Sequence, residues 1–273
     1  MKIVYYVPDT GNPFWTEVVS GVEKRALRAG ITLDVVDAGR NAKSQAAQLE
    51  SCADRNPAVV LISPVDPSRI ASVCRSVIKA GKPIVAVDDN MSTDVTASVV
   101  GGNLKGGIAA AMRLADKLGP GGRVVHVESE DIQNIMLRRR SFLSEIERRQ
   151  LFVVKTLKAE SDRKRAYEVM KAFLEEGIAF GGLFAENDAM ALGAMQAVQH
   201  RRPEPWPVVV GYDGILEALH AIRDGKMDST VSQNPVALGE KSAEIAMQIL
   251  GKKPFETLTS VLPKLVTKEN LNE

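Results

Sequence analysis

The chain has 273 residues, of which 45% are hydrophobic and 25% charged, an ordinary globular composition with enough apolar matter for a sizeable core. Its 35 Lys and Arg nearly cancel its 34 Asp and Glu, which excludes a strong net field recruiting nucleic acid or an anionic membrane. No run approaches the roughly 18 apolar residues that span a bilayer.

Residues 1–7 (MKIVYYV) are too short for a signal peptide and lack its small-residue cleavage site, so they read as a first strand. If the protein is exported, its leader lies outside this sequence. In chain order the expected strands are Ile3–Val7, Leu33–Val36, Val59–Ile62, Ile84–Val87, Val124–Val127, Val153–Leu157, Gly182–Ala185 and Val208–Val210. Helical periodicity fills most of the gaps: Phe14–Ala29, Ser44–Arg55, Pro67–Ala80, Leu104–Leu118, Arg138–Arg149, Asp162–Glu176, Ala189–His200 and Val236–Leu250. The βα alternation implies parallel sheets covered on both faces.

Two sheets fit this order better than one. The expected architecture is α/β, with two similar doubly wound parallel-sheet lobes joined by several short crossings, since no Pro- or Ser-rich linker is present. The expected lobes are 1–101 plus 234–258, and 102–233 plus 259–273. Thr230–Gln233 reads as a strand leaving one lobe.

Ligands in open parallel sheets lie beyond the carboxyl ends of the strands. After the first strand come Asn12, Phe14 and Trp15; after the fourth, Asp88 and Asp89. A polar loop from Glu128 to Asn134 leads to Arg138. Asn187 follows Gly182–Ala185, Asp213 follows Val208–Val210, and Gln233 ends the exit strand. Carboxylates, amides, one guanidinium and two aromatics suit a polyol: each hydroxyl both donates and accepts, and the C–H face of a sugar ring packs on an aromatic.

Each position also has a plainer use. Asn187 or Asp188 can cap a helix, Asp88–Asn90 and Asp213-Gly214 can be turns, Phe14 and Trp15 can be core, and Arg138 can lie on a basic surface. Cys52 and Cys74 fall on successive expected helices; a disulfide is one reading and two buried thiols the plainer one. His126, His200 and His220 are scattered, so no metal site is expected. Gly101–Gly107 is glycine-rich without a Gly-Lys-Ser/Thr ending and reads as a flexible lobe crossing followed by a helix cap. With no nucleotide loop, nucleophile elbow or catalytic pair, neither an enzyme nor a cofactor is expected.

Several segments carry a family resemblance over essentially the whole chain: Asn12-Pro13-Phe14-Trp15, Pro83–Asp88, Arg138 with Ser141-Phe142, Phe184–Ala194, Val210–Gly214 and Thr230–Gln233. Together, in this order, they resemble the ribose-binding protein family of periplasmic sugar receptors, with the type I periplasmic binding protein fold. The resemblance implies a hinge closing on one monosaccharide or sugar alcohol. Asn12, Phe14, Trp15 and Asp88 would come from the first lobe, and Arg138, Asn187, Asp213 and Gln233 from the second lobe and hinge. It further implies a periplasmic or extracytoplasmic location, a monomer, and the membrane permease of an ATP-driven importer, or a receptor, as partner. An extracytoplasmic sensor domain of a histidine kinase or chemoreceptor would show the same chemistry. A repressor of the lactose type would carry a helix-turn-helix before its first strand, and no nucleic-acid role is expected.

Two departures bear on the ligand. Ribose binders of the family have Arg after the strand-four Asp, where this chain has Asp89. An ionised carboxylate cannot donate to a sugar oxygen, so the ligand class carries over but ribose itself does not. Near Ser161, where relatives place a second stacking aromatic, the nearest aromatic is Tyr167, too far along, which leaves stacking to Phe14 and Trp15.

Overall fold

A computed structural model describes residues 1–91, 94–201 and 205–271. The chain forms two compact units, Met1–Gly101 with Asn234–Val261, and Gly102–Gln233 with Leu262–Glu273.

Unit 1 is built on a six-stranded sheet. Its strands are β1 (Lys2–Val7), β2 (Thr32–Asp37), β3 (Val59–Ile62), β4 (Ile84–Val87), β5 (Ala97–Gly101) and β11 (Leu258–Val261), in the order β11-β5-β4-β3-β1-β2. Every neighbouring pair is parallel. The central strands β3 and β4 are continuous apolar runs buried at every position, as a sheet covered on both faces requires. Its helices are α1 (Pro13–Arg28), α2 (Ala42–Glu50), α3 (Pro67–Lys79) and α9 (Pro235–Leu250). Proline opens α1, α3 and α9 just after an Asn or Asp whose side chain accepts a first-turn N–H. Helices α1 and α9 pack at close range: a Cβ on Gly21 would overlap the Val236 carbonyl, and one on Gly239 the Val18 carbonyl.

Unit 2 repeats the plan. Strands β6 (Arg123–Glu128), β7 (Phe152–Lys158), β8 (Gly182–Ala185), β9 (Val208–Asp213), β10 (Ser229–Ser232) and β12 (Lys264–Thr267) take the order β12-β10-β9-β8-β6-β7. Helices α4 (Asn103–Leu118), α5 (Gln133–Arg148), α6 (Arg163–Glu175), α7 (Asp188–Arg201) and α8 (Leu216–Arg223) accompany it. One aromatic cluster sits in its core, where Phe142 and Phe184 stack at 4.2 Å beside His126.

The structure departs from the sequence expectations in several places. β5 and α8 were not anticipated: β5 is short, with Ser98 second in it and Gly101 at its end, and α8 is only eight residues long. The expected Ser44–Arg55 helix breaks into α2 and a 3-10 turn over Cys52–Arg55, so Cys52 lies on that turn rather than on a helix. Both cysteines are free, buried thiols within one apolar cluster of unit 1, and burial pushes Cys74 up to about 12. The tail does not form one segment: Leu258–Val261 pairs parallel with β5, whereas Lys264–Thr267 pairs antiparallel with β10. The last crossing therefore falls after Val261 instead of after residue 258, and the second sheet has an antiparallel edge.

Gly106 and Gly107 are packing residues, not hinge residues. A Cβ on Gly106 would overlap the Tyr212 ring, and one on Gly107 the Arg138 carbonyl and the Ser141 hydroxyl. They let α4 lie directly against β9 and α5.

Candidate functional site

The expected site residues fall at the carboxyl ends of the strands in both units. In unit 1, Asn12 caps α1, its Oδ1 accepting the Phe14 N–H at 3.0 Å. Phe14 is buried on the core-facing side of α1, while half-buried Trp15 meets its ring edge-on at 4.8 Å. Of the two aromatics, Trp15 is the more available as a plate.

Asp88 and Asp89 follow β4. Asp88 adopts φ 62°, a left-handed conformation that Asp tolerates better than most residues. Its N–H donates to the Val99 carbonyl at 2.7 Å, and its Oδ1 accepts the Gly101 N–H at 3.3 Å. Asp89 is buried, 5% exposed, and that burial pushes its carboxyl up to about 6, only partly opposed by the Asn90 N–H.

In unit 2 Asp213 and Gln233 bond each other, and Arg138 touches the chain neighbours of two expected residues, Tyr212 before Asp213 and Glu186 before Asn187. Arg138 was weighed against a surface position; it is 4% exposed. Its Nε and Nη2 donate to Asn103 Oδ1 at 3.1 and 2.7 Å, and Nη1 donates to the Glu186 main-chain carbonyl. The guanidinium lies 3.4 Å from the centre of the Tyr212 ring, in cation–π contact. Asn134 is not in a loop as expected, because α5 begins at Gln133. It stands one turn before Arg138, on the same helix face.

Asn187 spends its Oδ1 on the Met190 N–H at 2.7 Å, at the start of α7. Its capping role is therefore real, and its amide nitrogen remains as a donor. Asp213 sits at φ 120° and accepts Gln233 Nε2 at 2.9 Å. Gln233 is 1% exposed, and its Oε1 has no hydrogen-bond partner among the described residues. Asp88 and Asp213 occupy similar places at the carboxyl end of the third strand from the β11 or β12 edge, Asp88 just after β4 and Asp213 as the last residue of β9. Both are non-glycine residues at positive φ, the kind of backbone strain that collects at functional positions.

Residues not anticipated as site partners hold this cluster. Asp188 is fully buried: its Oδ2 accepts the N–H groups of Gly214 and Ile215 at 2.7 and 3.0 Å, and its Oδ1 accepts the Thr230 hydroxyl at 2.7 Å. It thereby fixes the turn carrying Asp213, although burial raises its carboxyl to about 7 against those bonds. Glu186 is also fully buried but lies beside a guanidinium and an imidazole. His126 Nε2 is 3.1 Å from its Oε1, Arg139 Nε and Nη2 reach its two oxygens at 2.8 and 3.0 Å, and the Ser129 N–H donates at 2.7 Å. Burial opposes its charge, yet the His126 and Arg139 hydrogen bonds prevail and hold Glu186 down at about 2. Arg139 in turn is raised by its bond to Glu186. His126, scattered in the sequence from other ligating types, is thus a buried partner of a carboxylate.

Where a second aromatic was sought, Ser161 hydrogen-bonds Ser129 and Glu130 instead. Tyr167 stacks edge-on with His200, 5.8 Å between ring centres, and takes no part. Among the described residues no group of three or more His, Cys, Asp or Glu could hold a metal ion, and no helix is long and apolar enough to cross a membrane.

The geometry agrees with comparisons to known proteins. Residues 3–254 match the model of the periplasmic binding protein domain. The ribose import binding protein RbsB of Bacillus subtilis is 34% identical over 265 residues, covering 96% of this chain and 86% of that protein. The D-allose-binding periplasmic protein of Escherichia coli is 28% identical, over 92% of this chain and 88% of its own length. A periplasmic solute-binding protein of an ABC transporter from Actinobacillus succinogenes, solved with D-allose, superposes with TM-score 0.93 and 25% identity, covering 99% and 98% of the two chains. A Bacillus halodurans solute-binding protein with myo-inositol gives TM-score 0.91 and 26% identity, covering 99% and 95%. The chain therefore belongs to the periplasmic binding protein family, whose members are solute-binding proteins of transporters and not enzymes.

Proposed function

We propose that this protein is the sugar- or polyol-binding receptor of an ATP-driven importer, delivering its ligand to a membrane permease from a periplasmic or extracytoplasmic location. The observation that carries the reading is the unit 2 cluster: a buried Arg138 with no carboxylate partner among the described residues, packed on the ring of Tyr212, and next in the chain Asp213, bonded to a Gln233 whose carbonyl oxygen lacks a partner among the described residues. Guanidinium donors, a carboxylate acceptor and an amide offering both are what vicinal hydroxyls require. Unit 1 contributes Asn12, Trp15 and Asp88, with Phe14 backing Trp15, and Asn134 and Asn187 add amides in unit 2.

Asp89 sets the ligand apart from ribose in this reading. A buried carboxyl at that place accepts from a hydroxyl or an amine rather than donating to a ring oxygen. Sugars of other configuration, cyclitols and alditols follow as the candidate class; relatives that bind D-allose, xylitol and myo-inositol are compatible with it. The importer reading is preferred to a sensor domain because an import binding protein matches along 96% of the chain. The protein acts as a monomer in this proposal.

A thermal-shift screen against D-ribose, D-allose, xylitol, myo-inositol and amino sugars tests it. A ligand at 100 times its Kd adds about 2.7 kcal/mol to stability, several degrees in Tm for a chain of this size. A flat screen across pentoses, hexoses, alditols and cyclitols would sink the reading. A response to D-ribose equal to the best would remove the role given to Asp89.

A further inference from the structure

Two adjacent arginines of α5 divide one glutamate between them. Arg138 takes the Glu186 main-chain carbonyl, while Arg139 takes the Glu186 carboxylate with two nitrogens at 2.8 and 3.0 Å. The division matters because the carboxylate is fully buried and cannot be left to water. Facing it are His126 from β6, Arg139 from α5 and the Ser129 N–H from the loop after β6; Glu128 also reaches Arg139 Nε, at 3.3 Å, and Asp131 pairs with its Nη1.

Among the described residues Arg138 has no carboxylate partner. Its contacts are an amide oxygen, a main-chain carbonyl and an aromatic face. A guanidinium so placed keeps its donating power for a ligand, whereas one clamped to a carboxylate has it cancelled. The Glu186 carboxylate belongs to the residue whose main-chain carbonyl Arg138 already touches.

We propose that Arg139 is a positioning residue: by holding the Glu186 carboxylate it keeps that group off Arg138, whose guanidinium stays bonded to Asn103 and available to the ligand. Without Arg139 the buried carboxylate turns to the next guanidinium, Arg138 leaves Asn103, and ligand donors are lost. The inference rests on the sugar-receptor reading only for the identity of the ligand.

The test combines a ligand-free and a ligand-bound measurement on R139A, E186Q and R139A/E186Q. The Arg138 Nε–H resonance, identified by its absence in R138K, reports the Asn103 bond in ligand-free protein. Affinity is measured for whichever of D-ribose, D-allose or myo-inositol the unaltered protein binds. In R139A the resonance should move and affinity fall by about tenfold or more. In R139A/E186Q, with no carboxylate left to capture Arg138, both should return close to the unaltered values, which a merely structural role for Arg139 would not produce. An unmoved resonance in R139A, or no recovery in the double variant, overturns the proposal. If none of the three probes binds, the receptor reading is in trouble, but the resonance still decides this one. If R139A does not fold, E186Q and R139A/E186Q carry the test: both must leave the resonance in place, and displacement in either overturns it.

Discussion

The two units solve the same topological problem, yet a buried carboxylate of one and a buried carboxylate of the other are treated in opposite ways. In unit 1, Asp89 is buried beside a backbone N–H, and its proton affinity rises to about 6. In unit 2, Glu186 is buried more completely, yet a guanidinium, an imidazole and an N–H hold it ionised at about 2. Asp188, although in unit 2, sides with Asp89: its partners among the described residues are backbone and hydroxyl donors, and it is raised to about 7. Depth of burial is thus a poor guide to charge; the kind of neighbour decides its sign. The same contrast runs through the site. Unit 1 fixes Asn12 and Asp88 through backbone N–H groups, whereas unit 2 holds Arg138 and Asp213 in a side-chain network.

The sharpest way to break the comparison is to remove Asp188, the carboxylate that accepts from N–H and O–H donors. Asp188→Ala leaves the Gly214 and Ile215 N–H groups and the Thr230 hydroxyl without their acceptor, so stability should fall by about 3 kcal/mol. Calorimetry should show Tm lower by roughly 6–12 °C. A loss below about 1 kcal/mol would mean that water replaces the carboxylate and the turn needs no anchor.

Glu186 predicts an acid limb. Its folded carboxyl lies below its ordinary value of 4.5, so the stability it contributes is complete above pH 4.5 and lost as pH falls toward about 2. The loss should amount to about 2–3 kcal/mol. Urea unfolding of E186Q across that interval should be flatter than that of the unaltered protein; parallel curves would remove the ion pair from the account.

Ligand affinity should respond next. Arg138→Ala removes the charged donor of the unit 2 network and should weaken binding by about 2 kcal/mol or more, roughly thirtyfold by titration calorimetry. Affinity unchanged within about twofold would place the site elsewhere.

The smallest effect has the opposite sign. Asp89 is raised from 3.8 to about 6, so the folded state binds its proton more tightly and is favoured below pH 3.8. That advantage disappears as pH rises through about 6. Asp89→Asn should therefore stabilise the protein at pH 7, by about 1–2 kcal/mol, with the gain closing as pH falls toward 4. A variant less stable than its parent at pH 7 would show that the Asp89 charge has a favourable partner.

Most of the architecture was legible in the sequence because its signals are local. Strands β3 and β4 are unbroken apolar runs, and Asn12-Pro13 and Asp66-Pro67 announce helix starts. β5 carried no such signal: with buried Ser98 before them and Gly101 after, Val99 and Val100 are too short an apolar run to mark a strand. The direction of β12 was beyond reach, since pairing with β10 is a matter of tertiary placement.

At the site, strand ends pointed to Arg138 and Asp213, but not to what holds them. His126, Arg139 and Glu186 lie on three elements, and Glu186 is separated by 60 and 47 positions from the other two. No spacing rule joins such residues. One clue was available: His126 interrupts the β-branched run Val124–Val127, and a polar residue inside a buried strand needs a partner.

The crossings after Gly101, Gln233 and Val261 also set an order of manufacture. A chain emerging amino end first delivers α1 and β1 to β5 early, but α9, which packs against α1, and β11, which borders β5, arrive only with residues 234–261. Until then α1 shows its apolar face and β5 an open edge, both invitations to association with other chains. Unit 2, by contrast, has its sheet nearly whole by Gln233 and lacks only the β12 edge. The half begun first must wait for nearly the whole chain before its helix layer and its sheet are complete.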